Sequence, residues 1–270
     1  MIGIDLGITP WKVIKKINPT IAVIPWGATE PHNLHLPYLT DTILAKEVAI
    51  ESVKKVGQEG KVIVLPEVAM GSQNPGQTDY TGCIHYTQET QKHILTDIVV
   101  SLGRQGITRI VIINGHMGNC FKPIVRDLKQ TYPETDIVIV NYLDIPELPH
   151  SKYFENNEDH AGEIETSLMM YLKPDLVKLS DCGPGRSNGF KMSTLNRKIG
   201  WTPRDWSKET SDTGIGDPGL ATVDKGKLYF RDATDLISEL LREFIESRPY
   251  NDTGVSDDTE KEKDNTALNI

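Results

Sequence analysis

The chain has 270 residues, of which 38% are hydrophobic, and a formal net charge of −9 at pH 7. This length and apolar content suffice for one large folded core. The acidic balance argues against a nucleic-acid partner, which requires a basic face. No apolar run approaches the roughly 20 residues that span a bilayer, and the N-terminus lacks signal-peptide features. Three widely spaced cysteines indicate neither a disulfide framework nor a cysteine-ligated zinc site, so we expect a cytoplasmic protein that binds no membrane.

In chain order, short β-branched runs alternate with amphipathic segments. The predicted strands are Ile21–Ile24, Val62–Leu65, Ile110–Ile113 and Ile137–Val140, and the predicted helices are Thr42–Val53, Thr87–Gln105 and Phe121–Thr131. Thr40 or Asp41 is expected to cap the first helix, and Gly106 to end the second. Alternation of strand and helix favours a parallel sheet with helices on both faces. The expected fold is an α/β fold, a three-layer α/β/α sandwich around a mainly parallel sheet.

The pattern changes after Asp181. A stretch rich in glycine and proline runs to Gly219 and is too long for an idle connection, so we expect it to form part of an active site or a subunit contact. Asp232–Ser247 is predicted to be a final amphipathic helix. Residues 249–270 contain a long charged run and are expected to be a disordered acidic tail, which leaves one domain over residues 1–248.

Carboxylates and imidazoles are concentrated just after the first predicted strand. Glu30, His32, His35 and Asp41 lie within twelve residues of one another. Together these side chains suit a divalent transition metal, and no cysteine is near enough to supply a thiolate. The alternative interpretation is a surface loop in which Asp41 caps the next helix.

Two further clusters follow later strands. His116 comes directly after the buried run Ile110–Ile113, where ligand sites form in open α/β sheets. His160, Glu163 and Glu165 precede a helix-like segment. Each has an ordinary explanation, because a histidine can close a strand–helix turn and the helix dipole favours carboxylates in a first turn. Three such clusters together favour a functional site at one edge of the sheet.

The clusters resemble the signature blocks of the creatininase (creatinine amidohydrolase) family. The matching blocks are Glu-x-His-x-x-His-Leu-Pro-x-x-x-Asp at 30–41, Asn-Gly-His-x-x-Asn at 114–119, His-Ala-Gly-Glu-x-Glu-Thr-Ser at 160–167, and a glycine-rich block at 214–227. They occur in the family's order and span most of the chain. The resemblance implies a creatininase-like fold and hydrolysis of a C–N bond in a small cyclic amide or formamide by metal-activated water.

The resemblance also implies a ligand set. Glu30, Asp41 and His116 would hold one divalent ion, and His32 would hold a second with Asp41 as the bridge. One or two ions per subunit are therefore expected, with zinc, manganese or iron as the candidates.

By the same resemblance, His160 would carry a proton to the leaving nitrogen, and Glu163 is the second candidate catalytic residue. His35 is expected to orient a ligand or a turn rather than to bind metal. The resemblance further implies that the protein forms a homo-oligomer, a hexamer, and that it binds a small-molecule substrate.

The sequence departs from the family pattern at two places. Gly118 stands where creatininases carry a metal-binding glutamate, so the second metal loses a carboxylate unless Glu163 or water takes its place, and creatinine is expected to be a poor substrate. In a loop that lines the substrate pocket of relatives, Gln77 replaces a histidine, and Thr81 and Cys83 replace a proline and a threonine. These changes favour a different ligand.

Other functions remain open from the sequence. The scaffold could support a metal-dependent isomerase or lyase, a C–C hydrolase acting on a cyclic ketone or sugar-like substrate, or a catalytically silent binding protein. Trp201 and Trp206 could stack on a planar substrate, or they could simply pack in the core or at a subunit interface. Retention of the proposed proton carrier favours catalysis over mere binding.

Overall fold

A four-stranded parallel sheet forms the centre of the computed structural model, which describes residues 5–58, 60–155 and 160–250. The strands are β1 (Ile21–Trp26), β2 (Val62–Val64), β3 (Arg109–Asn114) and β4 (Asp136–Asn141), in the order β2-β1-β3-β4. Trp26 at the end of β1 pairs with Asn114 at the end of β3. The carboxyl ends of the two central strands therefore meet at one edge, and the loops that leave them start side by side.

Eight α-helices surround the sheet in the described part of the chain. They are α1 (Trp11–Ile14), α2 (Thr40–Val56), α3 (Gln88–Gly103), α4 (Phe121–Thr131), α5 (Glu163–Leu172), α6 (Ser193–Asn196), α7 (Trp206–Glu209) and α8 (Val223–Glu246). None of these helices is long and apolar enough to cross a membrane.

The alternation of side chains along β1 divides the core between two layers of helices. Ile21 and Val23 pack into a cluster with residues of α2, α5 and α8. Ala22 and Ile24 point to the other face and join a cluster with residues of α3 and α4. Because successive side chains of a strand point to opposite faces, a strand buried on both faces must be apolar throughout. The predicted three-layer α/β/α sandwich is confirmed.

The four predicted strands are present, but two helix starts differ from the prediction. Thr40 and Asp41 lie inside α2 rather than capping it, and the Thr40 hydroxyl donates to the carbonyl of Pro37. The final helix begins at Val223, well before Asp232, because the side chain of Thr222 accepts a hydrogen bond from the N–H of Lys225. Within the irregular stretch the structure forms only the short helices α6 and α7 and 3-10 turns. Residues 251–270, most of the predicted disordered tail, lie outside the described residues.

Candidate metal centre

The edge formed by β1 and β3 gathers the four side chains that were predicted to bind metal. Glu30 and His32 lie in the loop after β1, and His116 lies just beyond the end of β3. Asp41 is in the first turn of α2, which packs against β1. All four are buried. The structure thus brings together residues that come from three separate parts of the sequence.

Glu30, Asp41 and His116 form a first group of converging ligand atoms. Nδ1 of His116 lies 2.9 Å from Oε1 of Glu30 and 3.1 Å from Oδ2 of Asp41. Both oxygens are buried, and neither accepts a hydrogen bond of good geometry from the described residues. Leaving buried carboxylate oxygens without donors is costly. A divalent cation would satisfy all three atoms, so the residues fit a metal site.

His32, Asp41 and Glu165 form a second group. Nε2 of His32 lies 2.8 Å from Oδ1 of Asp41 and 3.9 Å from Oε2 of Glu165. Asp41 therefore presents one oxygen to each group, which is the geometry of a bridging carboxylate. The ligand atoms of each group lie within 4.8 Å of one another, close enough to bind one ion.

His160 lies beside both groups. Its backbone N–H and C=O pair with those of Ile215, at 2.9 and 2.8 Å, which fixes the segment against the glycine-rich block. The His160 ring is tilted against the ring of His32, with centroids 4.2 Å apart, and its Nδ1 lies 3.7 Å from Oε1 of Glu30. Glu30, His32 and His160 thus make a third possible set of ligands, and His160 is placed either to bind an ion or to exchange a proton beside it.

All three histidines share one pattern of hydrogen bonding. One ring nitrogen of each contacts a backbone carbonyl oxygen: His32 Nδ1 contacts Glu30 O at 3.0 Å, His116 Nε2 contacts Ser72 O at 2.7 Å, and His160 Nε2 contacts Pro31 O at 2.9 Å. A carbonyl only accepts, so each of these nitrogens carries a proton. In the neutral ring the other nitrogen then has a free lone pair, and in all three cases it faces the carboxylates. Metal-binding histidines in proteins are usually held in this way.

Glu163, predicted as a catalytic residue, lies outside the cluster. Its Oε1 accepts from Nζ of Lys225 at 2.6 Å, and its Oε2 accepts from the N–H of Glu155 at 3.0 Å. Glu165 occupies the site instead, and its Oε2 accepts from the N–H of Ala161 at 2.6 Å. Two positions along a helix differ by roughly 200° of rotation, so only one of the two glutamates can face the centre. Among the described residues Glu165, and not Glu163, therefore faces the cluster, and a catalytic role for Glu163 stays a prediction.

The carboxylates change the proton affinity of the histidines. Burial alone would lower the pKa of His32, but Asp41, Glu165 and Glu30 raise it to about 10. Burial likewise opposes protonation of His116, yet Glu30 and Asp41 raise its pKa well above the usual value. Burial raises the pKa of Glu165. In the metal-free protein, protons on these rings balance the negative charge that a metal ion would otherwise balance.

Gly118 is required by the position of His116. A Cβ atom at residue 118 would collide with the carbonyl oxygen of Ser72 and with Nε2 of His116, the two atoms of the hydrogen bond that fixes the ring. A glutamate therefore does not fit here with the loop in this conformation. The carboxylates of the second group are those of Asp41 and Glu165.

A cavity of about 750 Å³ opens onto the cluster. It is lined by five members of the cluster: Glu30, Asp41, His116, His160 and Glu165. The irregular stretch contributes residues 198 and 201–204 and Trp206 to the same cavity, as expected for an active-site segment. Trp206 is buried and its Nε1 donates to the carbonyl of Thr213, whereas Trp201 is 85% exposed. Trp206 is thus a packing residue, and Trp201 is free to contact a ligand.

His35 lies behind the cluster and belongs to none of the ligand groups found among the described residues. Its Nε2 is 2.8 Å from Oγ1 of Thr166, on the helix that carries Glu165. Burial and the neighbouring His32 lower the pKa of His35 to about 4. A neutral His35 joins the loop after β1 to α5, in keeping with its expected role in orienting a turn.

Sequence reasoning missed two residues of the centre. Glu165 was part of a recognised motif, but the sequence does not separate it from Glu163, because the choice depends on how α5 (Glu163–Leu172) is rotated about its axis. Gln77 was noticed as a departure from the family pattern, but its contact with Glu30, at 2.5 Å between Nε2 and Oε2, depends on the folded loop.

Comparison with known proteins agrees with this geometry. A family model described as creatininase, creatinine amidohydrolase, matches residues 9–241. A candidate creatinine amidohydrolase of known structure from Bacteroides fragilis NCTC 9343 is 41% identical, covers 93% of this chain and 100% of its own, and superposes with a TM-score of 0.89.

Two curated proteins are more distant. The creatinine amidohydrolase of Pseudomonas putida is 27% identical over 244 residues, 83% of this chain and 89% of that protein. The mycofactocin precursor peptide peptidase of Mycobacterium tuberculosis (strain CDC 1551 / Oshkosh) is 28% identical over 241 residues, 86% of this chain and 88% of that protein. Since the family model matches most of its length, this chain belongs to the creatininase family.

Proposed function

We propose that this protein is a metal-dependent hydrolase that cleaves a C–N bond in a small molecule of the cyclic amide or formamide type. The observation that carries the proposal is the shared bonding of His32, His116 and His160, each held by a backbone carbonyl with its second nitrogen facing buried carboxylates. That arrangement is costly without a cation and is suited to one. Family membership supports hydrolysis, because the two curated relatives are an amidohydrolase and a peptidase.

The proposed ligands divide between two ions. Glu30, Asp41 and His116 would hold the first, and His32, Asp41 and Glu165 the second. Zinc, manganese or iron suits this mixture of imidazole and carboxylate ligands. When bound, such ions supply a nucleophilic hydroxide near neutral pH and polarise the carbonyl under attack.

The protein's own residues would handle the proton and the substrate. With the Nε2 proton of His160 held by Pro31 O, Nδ1 is the atom that can accept a proton and pass it to the leaving nitrogen. Trp206 limits movement of that ring by packing against it. Trp201 and Arg204 line the cavity beyond the cluster and would contact the rest of the substrate.

We further propose that creatinine is not the substrate. Gly118 leaves the centre without the glutamate that the resemblance associates with creatinine hydrolysis, and the geometry around His116 leaves no room for it. A changed set of ligands alters the charge and geometry of the metal.

Elemental analysis of purified protein, followed by a screen of amides, lactams and formamides, tests the proposed function. We expect bound zinc, manganese or iron, together with hydrolysis of some member of the panel and little or none of creatinine. Absence of bound metal after incubation with all three ions would overturn the metal centre. Bound metal without hydrolysis of any amide would favour a silent binding protein on the same scaffold.

A further inference from the structure

Gln77 makes a hydrogen bond to a proposed metal ligand. Its side chain is buried, and its Nε2 donates to Oε2 of Glu30 at 2.5 Å. Its Oε1 accepts from the backbone N–H of Asn74 at 2.6 Å. Because a backbone N–H only donates, the oxygen of the amide must face Asn74, and the NH₂ group must face Glu30. The orientation of the amide is therefore fixed by its partners.

This contact makes the two oxygens of Glu30 different. Oε2 is occupied by the amide of Gln77, whereas Oε1 has no hydrogen bond of good geometry and lies 2.9 Å from Nδ1 of His116. A carboxylate with both oxygens free could bind an ion through either oxygen or through both. With Oε2 bonded to the amide, Oε1 is the oxygen of Glu30 that a metal ion can approach without competing with a hydrogen bond of good geometry.

The loop that carries Gln77 has little freedom to move. Gln77 begins a 3-10 turn, and the preceding Gly76 has a φ of 82°, a conformation that favours glycine. The carbonyl of Pro75 accepts from the N–H of Trp206 at 2.7 Å. A Cβ atom on Gly76 would come within 2.8 Å of Oδ1 of Asp205. The irregular stretch thus holds the loop in place, and the loop holds the amide against Glu30.

We infer that Gln77 is a positioning residue that fixes Glu30 as a one-oxygen ligand of the first metal ion. The inference rests on the proposed metal centre and adds a residue that controls metal binding without being a ligand itself. Hydrogen bonds to metal ligands orient them, and loss of such a partner typically weakens metal binding 10–100-fold. The resemblance to the family leads one to expect a histidine at this position, and an imidazole could also donate to Oε2.

Four variants test the inference. Gln77→Leu removes the donor, and Gln77→Met removes it with less change of shape. Gln77→His restores a donor. Gln73→Leu is the matched control, because Gln73 lies in the same loop, is similarly buried, and its Nε2 contacts the carbonyl of Ile84 at 3.5 Å instead of a proposed ligand.

Two readouts are independent of turnover. The first is metal affinity, measured for Zn²⁺ by competition with a chromophoric chelator. The second is the visible spectrum of the Co²⁺-substituted protein, which reports coordination number. We expect Gln77→Leu and Gln77→Met to bind one equivalent of metal roughly 10–100-fold more weakly and to change the Co²⁺ spectrum. Gln77→His should recover most of the affinity, and Gln73→Leu should match the wild type.

The outcomes separate the inference from the proposed function. If the wild-type protein binds neither Zn²⁺ nor Co²⁺, the metal centre itself is wrong and the inference falls with it. If the wild type binds metal and a folded Gln77→Leu or Gln77→Met variant keeps the wild-type affinity and spectrum, only the role of Gln77 is overturned. Equal weakening by Gln73→Leu would overturn it as well, because the effect would then belong to the loop as a whole.

Discussion

The indole of Trp206 packs edge-on against the imidazole of His160, with ring centroids 5.4 Å apart and planes at 85°. The guanidinium of Arg204 lies over the ring of Trp206, 4.8 Å from its centroid. The irregular stretch therefore supports the proposed proton carrier through Trp206. Trp206 is itself held in place by hydrogen bonds to the carbonyls of Pro75 and Thr213. Residues that look like an unstructured connection in the sequence limit the orientations of a functional ring.

Trp206 and Trp201 should differ sharply in their effect on stability. Trp206→Leu removes a buried ring and its hydrogen bond to Thr213, so we expect the free energy of unfolding to fall by about 2–4 kcal/mol. Trp201→Leu changes a side chain that is 85% exposed and should have an effect within about 0.5 kcal/mol. Urea denaturation of both variants measures the difference. Equal values would show that Trp206 does not anchor the segment.

Asp41 should be the residue whose loss removes the most metal. One of its oxygens faces His32 and the other faces His116, so a single substitution affects both groups. We expect Asp41→Ala to lose all tightly bound ions in elemental analysis. Asp144→Ala is a suitable control, because this exposed carboxylate lines the same cavity without belonging to either group. Unchanged metal content in Asp41→Ala would contradict the bridging role.

Glu165 and Glu163 provide a matched pair two positions apart. Glu165→Gln should bind one ion fewer per subunit than the wild type, because the second group loses its own carboxylate. Glu163→Gln should keep the full metal content but melt at a lower temperature, since Lys225 loses its buried partner. Metal stoichiometry and thermal unfolding together distinguish the two. The reverse pattern, with metal lost only from Glu163→Gln, would show that Glu163 supplies the second carboxylate in place of Glu165.

Metal binding should release protons. In the metal-free protein the pKa of His32 is raised to about 10 and that of His116 is also raised, by the surrounding carboxylates and against the effect of burial. The raised pKa of each ring favours its protonated form, so a metal ion must compete with protons to bind. Apparent affinity should rise with pH, by up to about tenfold per pH unit for each proton displaced. Calorimetric titration in two buffers of different ionisation enthalpy counts the protons, and a buffer-independent heat would refute the prediction.

The same shift predicts how the metal-free protein responds to alkali. The carboxylates around His32 raise its pKa in the folded state from 6.5 to about 10, so protonation of this ring stabilises the folded state. That contribution is complete below the unfolded pKa and is lost as the pH rises through about 10. Unfolding of metal-free protein should therefore become easier across that range, and His32→Gln should reduce the change.

The sequence predicted those parts of the molecule that depend on local pattern. Continuous apolar runs such as Ile110–Ile113 identify strands buried on both faces, and parallel strands place the following loops at one edge. Those two facts were enough to bring His116 next to Glu30. The choice between Glu163 and Glu165 depends on the rotation of α5 about its axis. The start of α8 depends on a helix cap at Thr222, which lies inside the glycine-rich block at 214–227. The bond from Gln77 to Glu30 exists only once distant segments have folded together. Cytoplasmic location and hexamer formation stay predictions.

His160 offers the most direct test of mechanism. Its Nε2 donates to Pro31 O, and its Nδ1 lies 3.7 Å from Oε1 of Glu30, so the ring can take up a second proton at Nδ1 without losing its anchor. An asparagine could not accept and return a proton. Once a substrate has been found, we therefore expect His160→Asn to keep its metal and its fold while losing roughly 10²–10⁴-fold in turnover.

Two other results would assign His160 differently. Loss of metal would make it a ligand, as its grouping with Glu30 and His32 permits. Near-normal turnover with full metal content would leave it a structural histidine that only ties the loop to Pro31. His93→Asn, at an exposed position on α3, controls for the substitution itself. If His160 delivers a proton to the leaving nitrogen, substrates whose leaving group needs no protonation should be the least affected by His160→Asn. A series of substrates with leaving groups of different basicity therefore separates proton delivery from a structural role.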